Sequence, residues 1–590
     1  MLADIEKLQE MSEKKRNIRR NNIIQLLLSL AIIAVLNVIG SYIFTRFDLT
    51  SEKRYTLSDA TKRMLRELDD IVYFKIYLDG EFPAGFKRLR NTTREMLDEF
   101  RAYSDNIQYE FINPSAFTDQ QERNALYEEL VRDGLTPTEL FVTTSEGRKQ
   151  QLIFPGAIVT HRQRRLPLHI LTSQPGSHPE EALNQSIQNL EYSISSVIRR
   201  LSSTSQPKIA IIEGHGELEP IHMAGAVETL REYYSIERVK IDGQINSLTI
   251  RTEIDSLNYR ISNKYEAIII AKPMQPFNEK DKFVIDQFIM HGGKVLWFID
   301  PVFATMDSLQ NSNQTIGVSN DINISDQLFR YGVRLNNNLV MDMQALPIMV
   351  VTGGVGGQPQ QSFLAWDFFP LMTPLINHPI VNNVDAIMGH FVSTIDLIES
   401  PGIEKTILLS TSQYARVVNT PVLISLDILR EEPDESLYRQ PYQPVAVLLE
   451  GNFESLYRNR IPPEISDDKS IGYRESGLPA KMLVVADGDI IRNQVHRTQR
   501  QPLPLGYDQD TRRQFGNREF LLNAVNYLCD DSGIIAVRSR EIKLRMLDGL
   551  KVRNSKVFWQ TFNALAPVLI IIIFGIVRSV LRKRKYTSQA

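Results

Sequence analysis

The sequence predicts an α/β protein held between two membrane-spanning helices. Three observations predict it: an uncharged apolar span near each end, a middle far too long for one hydrophobic core, and strands alternating with helices through that middle. The spans run from Ile23 to Phe44 and from Val557 to Val577, and neither holds an Asp, Glu, Lys or Arg. A helix of ~20 apolar residues crosses a bilayer core, so both are expected to be transmembrane helices. Lys14, Lys15, Arg16, Arg19 and Arg20 precede the first, and Arg578, Arg582, Lys583, Arg584 and Lys585 follow the second. Positive flanks stay in the cytoplasm, which places the basic tails 1–22 and 578–590 there and the bulk of the chain on the opposite, outer side of the membrane. The first span exceeds the ~7–15 apolar residues of a cleaved signal peptide and lacks a small-residue cleavage site, so it reads as an uncleaved anchor.

Composition narrows the classes. Of 590 residues, 67 are Lys or Arg and 70 are Asp or Glu, a net charge of −3, so no nucleic-acid surface is indicated. The single cysteine, Cys529, precludes an intrachain disulfide framework and an N-terminal lipid anchor. About Arg46 to Ser555 is long enough for two or more domains.

After a juxtamembrane segment, 45–70, the region 71–201 reads as a strand Ile71–Leu78, a helix Arg88–Tyr103, a strand Ile107–Ile112 and a helix Gln120–Arg132. Strands Leu140–Thr144 and Gln151–Val159 follow, then a helix Leu183–Leu201 with Leu183, Ile187, Leu190, Ile194, Val197 and Ile198 at helical spacing. That order is thioredoxin-like, but Gly80-Glu81-Phe82-Pro83-Ala84-Gly85 stands where a redox Cys-x-x-Cys would be needed. Past the break Ser202–Ser205, the region 206–343 opens a second domain with a strand Lys208–Ile212, a strand Ala267–Ala271, a helix Glu279–His291 stopped by Gly292-Gly293, and a strand Lys294–Ile299. Such alternation predicts a doubly wound parallel sheet of flavodoxin or amidotransferase type. Strands Val445–Leu449 and Lys481–Ala486 and a helix Arg518–Leu528 finish it across 443–531, after a β-rich insertion at 344–442 and before a linker at 532–556.

The candidate site is the loop Glu213-Gly214-His215-Gly216-Glu217, which follows a strand and offers an imidazole between two carboxylates. It lacks the Lys-Ser/Thr of a P-loop and the G-x-G-x-x-G fingerprint, so it is read as a ligand-contacting or structural turn and not a phosphate cradle. His222 is the one nearby second histidine, too few for a zinc site, and Asp487-Gly488-Asp489 offers only two carboxylates to a cation. Cys529, followed by Asp530 and Asp531, has no activating neighbour. Gly353-Gly354-Val355-Gly356-Gly357 is followed by Gln358-Pro359-Gln360-Gln361 where a phosphate loop needs a helix, which makes it a loop or hairpin tip. No catalytic residue, metal or cofactor is expected.

Several strings together are similar to one family. Arg46-Phe47-Asp48-Leu49-Thr50-Ser51-Glu52-Lys53-Arg54-Tyr55-Thr56-Leu57-Ser58, the turn Gly214-His215-Gly216-Glu217, Ala486-Asp487-Gly488-Asp489 and the two flanking spans resemble, in their order, the GldG family of auxiliary components of the gliding-motility ABC transporter of Bacteroidetes. The resemblance covers essentially the whole chain. It implies an inner-membrane subunit of substrate-binding type with a periplasmic bulk, partnering a GldF-like permease and a GldA-like ATPase, in gliding and type IX secretion, and it supplies no catalytic residues. No Walker A motif occurs in the chain, so ATP hydrolysis falls to a partner.

Three functions follow as alternatives: a non-catalytic subunit of an ABC-type complex, a periplasmic ligand receptor, or a metal-dependent hydrolase built on His215. Double anchoring favours the first, and two-fold ABC assemblies suggest two copies per complex. The spans themselves are expected to bind a partner. Asn37 lies fourteen positions after Ile23 and Asn563 fourteen before Val577. At ~1.5 Å per residue the two amides share a depth of roughly 20 Å, where facing lipid is costly. Pro567, one turn inward of Asn563, frees a further backbone acceptor.

Overall fold

The computed structural model describes residues 20, 23–35, 37, 56–117, 119–144, 147–171, 179–203, 206–255, 258–309, 312–355, 358–430, 433–530, 533–539 and 555–587. Lys14 to Arg19, the string Arg46 to Tyr55, residues 38–44 of the first span, Gly356-Gly357 and most of the linker lie outside the described residues.

The chain divides into two compact units, Met1–Arg54 with Glu541–Ala590, and Tyr55–Arg540. In the first, the described residues Ile23–Val35 form an apolar helix, and Lys556–Leu581 spans 26 residues, long and apolar enough to cross a bilayer. Pro567 sits inside this C-terminal helix, Lys556–Thr587.

The larger unit is mixed α/β. Its first sheet comprises β1 (Val72–Ile76), β2 (Ile107–Phe111), β3 (Gly156–His161) and β4 (Arg164–His169) in the order β2-β1-β3-β4. β1 and β2 are parallel, whereas β3 runs antiparallel to β1 and β4 to β3. Val72, Phe74 and Ile76 alternate into the core against Leu89, Leu97 and Phe100 of the helix Ala84–Tyr103 and against the apolar face of the helix Pro179–Ser202. Each such fully buried side chain contributes about 1.5–3 kcal/mol. Asp119 caps the helix Gln120–Arg132, its carboxylate accepting from the Gln121 N–H at 2.9 Å, which fixes the start that the sequence predicts.

One strand prediction is corrected here. Gln151–Val159 is not continuous: a hairpin of Thr138–Thr144 and Gly147–Ile153 ends before Phe154-Pro155, and the sheet strand begins at Gly156. The proline, with no N–H to donate, ends the ladder there.

The second sheet takes β5 (Lys208–Glu213), β6 (Ser235–Lys240), β7 (Ala267–Ala271) and β8 (Lys294–Phe298). A long hairpin of β9 (Ala345–Val355) and β10 (Gln358–Met372) follows, in which Gly353, Gly354 and Val355 of the predicted glycine-rich loop are strand residues paired with Gln360, Pro359 and Gln358. Then β11 (Ile403–Ser410), β12 (Pro444–Glu454) and β13 (Ser476–Val485) complete a seven-stranded sheet ordered β11-β12-β13-β8-β7-β5-β6. The pairings β6–β5, β5–β7, β7–β8 and β8–β13 are parallel. In chain order these strands run 2-1-3-4-5, the flavodoxin-like doubly wound order.

The wholly parallel sheet expected from the sequence is corrected at its far side, where β12 runs antiparallel to β13 and β11 antiparallel to β12. β11 itself lies within 344–442. Alternate residues feed two cores: Ile209 and Ile211 face the helices Ala224–Arg231 and Asn517–Cys529, and Ala210 and Ile212 face the helix Glu279–Met290. Below the β9–β10 hairpin an aromatic cluster of Trp366, Phe368, Phe369 and Phe391 forms a further core, with Trp366 and Phe369 centroids 4.9 Å apart.

The helix Pro179–Ser202 ties the two sheets together. Arg199 pairs with Asp530 at 2.6 Å, and the Asn526 amide donates to the Tyr192 hydroxyl at 3.1 Å.

Candidate functional site

Every parallel strand of an open α/β sheet delivers its last residue to the same edge, and here those residues are ionisable. β5 ends in Glu213, β7 is followed by Lys272, β8 by Ile299 and Asp300, and β13 by Ala486 and Asp487. Two clusters result.

The first lies where the strand order reverses, between β5 and β7. Gly214 and Gly216, at φ +121° and +72°, fold the loop back so that the His215 carbonyl accepts from the Met274 and Gln275 N–H groups at 2.9 and 2.8 Å. His215 is 4% exposed, and its ring stacks on Phe277 with centroids 3.7 Å apart. Nδ1 lies 3.1 Å from Glu217 and Nε2 3.0 Å from Asp281. Burial opposes a charge on the ring, but the bonds and charges of the two carboxylates outweigh it, and the imidazole pKa is raised. Asp281 is held in turn by the Gly243 N–H at 2.6 Å and the Asn278 amide at 2.7 Å. Both ring nitrogens of His215 are therefore engaged within the chain. Glu213 turns away to pair with Arg238, so the five residues of the predicted loop are brought together only in part.

The second cluster was not assembled from sequence. The Lys272 ammonium sits 2.8 Å from Asp300 and 2.6 Å from Asp489, all three side chains under 10% exposed. Lys272 adopts φ +54°, and Gly488 packs so closely that a Cβ there would come within 2.6 Å of the Lys272 Cβ. Burial disfavours the Lys272 charge, yet Asp300 and Asp489 raise its pKa above the usual lysine value. Burial also pushes Asp489 toward its neutral form, but Lys272, His390 and Arg492 hold its carboxyl below the usual range. Asp487, buried beside Asp300 and Asp489, is raised well above it, although its oxygens accept the Asp489 and His390 N–H groups at 2.7 and 2.9 Å. The cation suggested by Asp487-Gly488-Asp489 is thus an ammonium from the same chain.

Over this second cluster opens a groove of about 530 Å³, within the ~300–1,000 Å³ of ligand sites. Lys272, Asp489 and Arg492 form its floor, and residues Leu346 to Val350 of β9 line one side. His222 and His390 also line it; burial depresses both imidazoles below their usual value, and the buried Nδ1 of each has no hydrogen-bond partner. His222 does not join His215, whose ring nitrogens are taken by Glu217 and Asp281. Among the described residues no three His, Cys, Asp or Glu side chains are grouped to hold a metal. Cys529 is buried at the end of the helix Asn517–Cys529.

In the smaller unit, the Asn37 side-chain amide donates to the Ile33 carbonyl at 3.0 Å, and Asn563 and Pro567 lie on the exposed surface of the C-terminal helix.

Residues 206–524 match the family model described as an ABC-type uncharacterized transport system. Residues 51–160 match one described as a domain of unknown function (DUF7088). The chain is also similar, at 21% identity over 96% of its length, to an uncharacterized protein of Borreliella burgdorferi, of which 99% is covered. Among solved structures it is similar to the mmIFT52 N-terminal domain, with a TM-score of 0.29 and 14% identity over 54% of this chain and 96% of that one, a level of likeness that carries no inference.

Proposed function

The chain belongs to the ABC-type uncharacterized transport system family, and from that premise we propose that it is a non-catalytic, membrane-anchored subunit of an ABC-type complex. Its partners are a GldF-like permease and a GldA-like ATPase, with two copies of this chain per complex and gliding motility with its associated secretion as the setting. Both termini are cytoplasmic and the larger unit is periplasmic, held by two transmembrane helices in which Asn37, Asn563 and Pro567 meet the permease. The β2-β1-β3-β4 order supports a thioredoxin-like first domain used as a scaffold, since no cysteine pair accompanies it.

The observation that carries the non-catalytic role is the engagement of the sheet's ionisable edge: both nitrogens of His215 bond carboxylates, and Lys272 is locked between Asp300 and Asp489. A general base or nucleophile has to be able to exchange a proton or an electron pair with substrate. These groups exchange them with each other. The loop Glu213 to Glu217 then serves as a bracket at the strand-order reversal.

The test is purification of the full chain from native membranes. The permease and ATPase should co-purify, with ATP hydrolysis confined to fractions that hold the ATPase; hydrolysis by this chain alone, or its elution without either partner, would overturn the role. Alkaline phosphatase fused at Ile250 should be active and at Ala590 inactive, and activity at Ala590 would sink the topology. A ligand-receptor role is the second possibility, favoured by the groove over Lys272.

A further inference from the structure

The side of the groove formed by Leu346, Pro347, Ile348, Met349 and Val350 is unusual in being consecutive. Side chains of a strand alternate between the two faces of its sheet, so a cavity above one face touches every second residue. Five in a row means that the groove runs along the edge of β9. That edge is open, because β9 is the outermost strand of its sheet and pairs only with β10 among the described residues.

Pro347 shows which backbone groups face the groove. A proline has no N–H for the ladder and sits in an edge strand with its nitrogen on the open side. Residues two apart share a side, so the N–H and C=O of Met349 also point there. Bulges between Ala345 and Pro347 and between Val351 and Gly353 bound the regular stretch, which admits one short segment and blocks lateral growth of the sheet. Beside the open edge, Met349 and its cross-strand partner Phe363 are 37% and 52% exposed, an apolar pair left uncovered.

The cations that line the groove are already paired. Lys272 is paired as above, Arg492 lies 3.3 Å from Asp489, and Arg497 lies 2.7 Å from Asp510. A phosphate or carboxylate ligand would have to displace these pairs, whereas an uncharged segment would not.

We propose that this groove is an acceptor for a short, extended, uncharged polypeptide segment of another protein, which adds as a strand to the open edge of β9 and covers Met349 and Phe363 with an apolar side chain. The affinity comes mainly from main-chain hydrogen bonds and therefore tolerates sequence variation. The inference specifies the ligand class of the receptor possibility and rests on it only in using the same groove. Co-purification of an ATPase and binding of a peptide can fail independently.

The test uses the full chain in detergent and a fluorescein-labelled, end-blocked peptide, Thr-Val-Thr-Val-Thr-Val-Thr, followed by fluorescence anisotropy. Saturable binding is expected, weakened about tenfold by Met349→Pro, which removes the inward N–H, and by N-methylation of alternate peptide residues, which leaves the protein untouched. Phe363→Ser should weaken it by roughly threefold through lost apolar contact. Absence of saturable binding, or binding indifferent to N-methylation as a small-molecule pocket would give, overturns the proposal. So does a concentration-dependent dimer that disappears with Met349→Pro while no peptide binds, since the occupant would then be a second copy.

Discussion

The two clusters at the carboxyl edge of the second sheet are built from the same kinds of residue and end in opposite conditions. Around His215 the space is filled: Phe277 covers the ring, Glu217 and Asp281 take its nitrogens, and Asp281 is itself bonded by Gly243 and Asn278. Around Lys272 the ions are paired just as tightly, but a groove stands open above them, with the β9 edge and two unpartnered imidazole nitrogens on its walls. The contrast teaches that an ionisable group at a strand end does not by itself mark a binding site. What marks it is unused hydrogen-bonding capacity beside a cavity, and here that capacity belongs largely to backbone.

The largest expected effect tests whether the floor of the groove is structural. Lys272→Met leaves Asp300 and Asp489 buried without their cation and should cost about 3–5 kcal/mol in urea unfolding of the full chain. Adding Asp489→Asn should recover part of that loss. A cost below about 1 kcal/mol would mean that water already screens the site, and the floor would belong to the ligand space.

Next comes the filled cluster. His215→Ala should cost about 2–3 kcal/mol, because two hydrogen-bonded carboxylates lose their shared partner, while the complex still assembles and no metal-dependent hydrolysis is gained. Stoichiometric zinc that is lost in this variant would reverse the assignment. The pH dependence is more specific. The His215 pKa is raised in the folded chain, so its stabilisation is complete below the usual imidazole value of 6.5 and disappears as pH rises through the folded value. Thermal unfolding followed from pH 6 to 9 should show the gap between the wild type and His215→Gln closing as pH rises, and a gap that widens would refute the charged ring.

A smaller effect tests the proposed transmembrane pair. Replacing Asn37 and Asn563 with Leu should reduce recovery of the permease while leaving unfolding of the larger unit unchanged, with interhelical hydrogen bonds there worth about 0.6–2 kcal/mol. The Asn37 amide already bonds the Ile33 carbonyl, which lowers the cost of facing lipid, so full recovery of the permease would assign Asn37 to its own helix alone. The smallest effect belongs to the open groove: Met349→Ser and Phe363→Ser should each change stability by less than about 0.5 kcal/mol, since both side chains are exposed.

Much of the fold was legible because its central elements carry strong patterns. Ala267–Ala271 and Gln120–Arg132 end where the sequence says they do, the first as an apolar run buried on both faces and the second with an Asp cap. β6 was missed because it is an edge strand of half-buried residues without alternation, and β4 because two arginines and a proline hide its pattern. The antiparallel run of β12 depends on chain path and leaves no mark in composition. At the site, the His215 loop was visible since its glycines and acids are contiguous. Lys272 was not, because Asp489 lies 217 positions away. A signal existed in three apolar strands that each give way to an ionisable residue at Lys272, Asp300 and Asp487, but only the sheet order makes them neighbours.

The helix Pro179–Ser202 belongs to both sheets at once. It fills the core of the first with its apolar face and is pinned to the last helix of the second through Arg199–Asp530 and Tyr192–Asn526. At 24 residues it is ~36 Å long, a strut stiff enough to carry a load. A torque applied to the first sheet is therefore delivered at Asp530, within the second sheet's framework and just ahead of the segment that leads to the C-terminal span. Mechanically the larger unit has two grips joined by one helix, and pulling on either should produce a single rupture event.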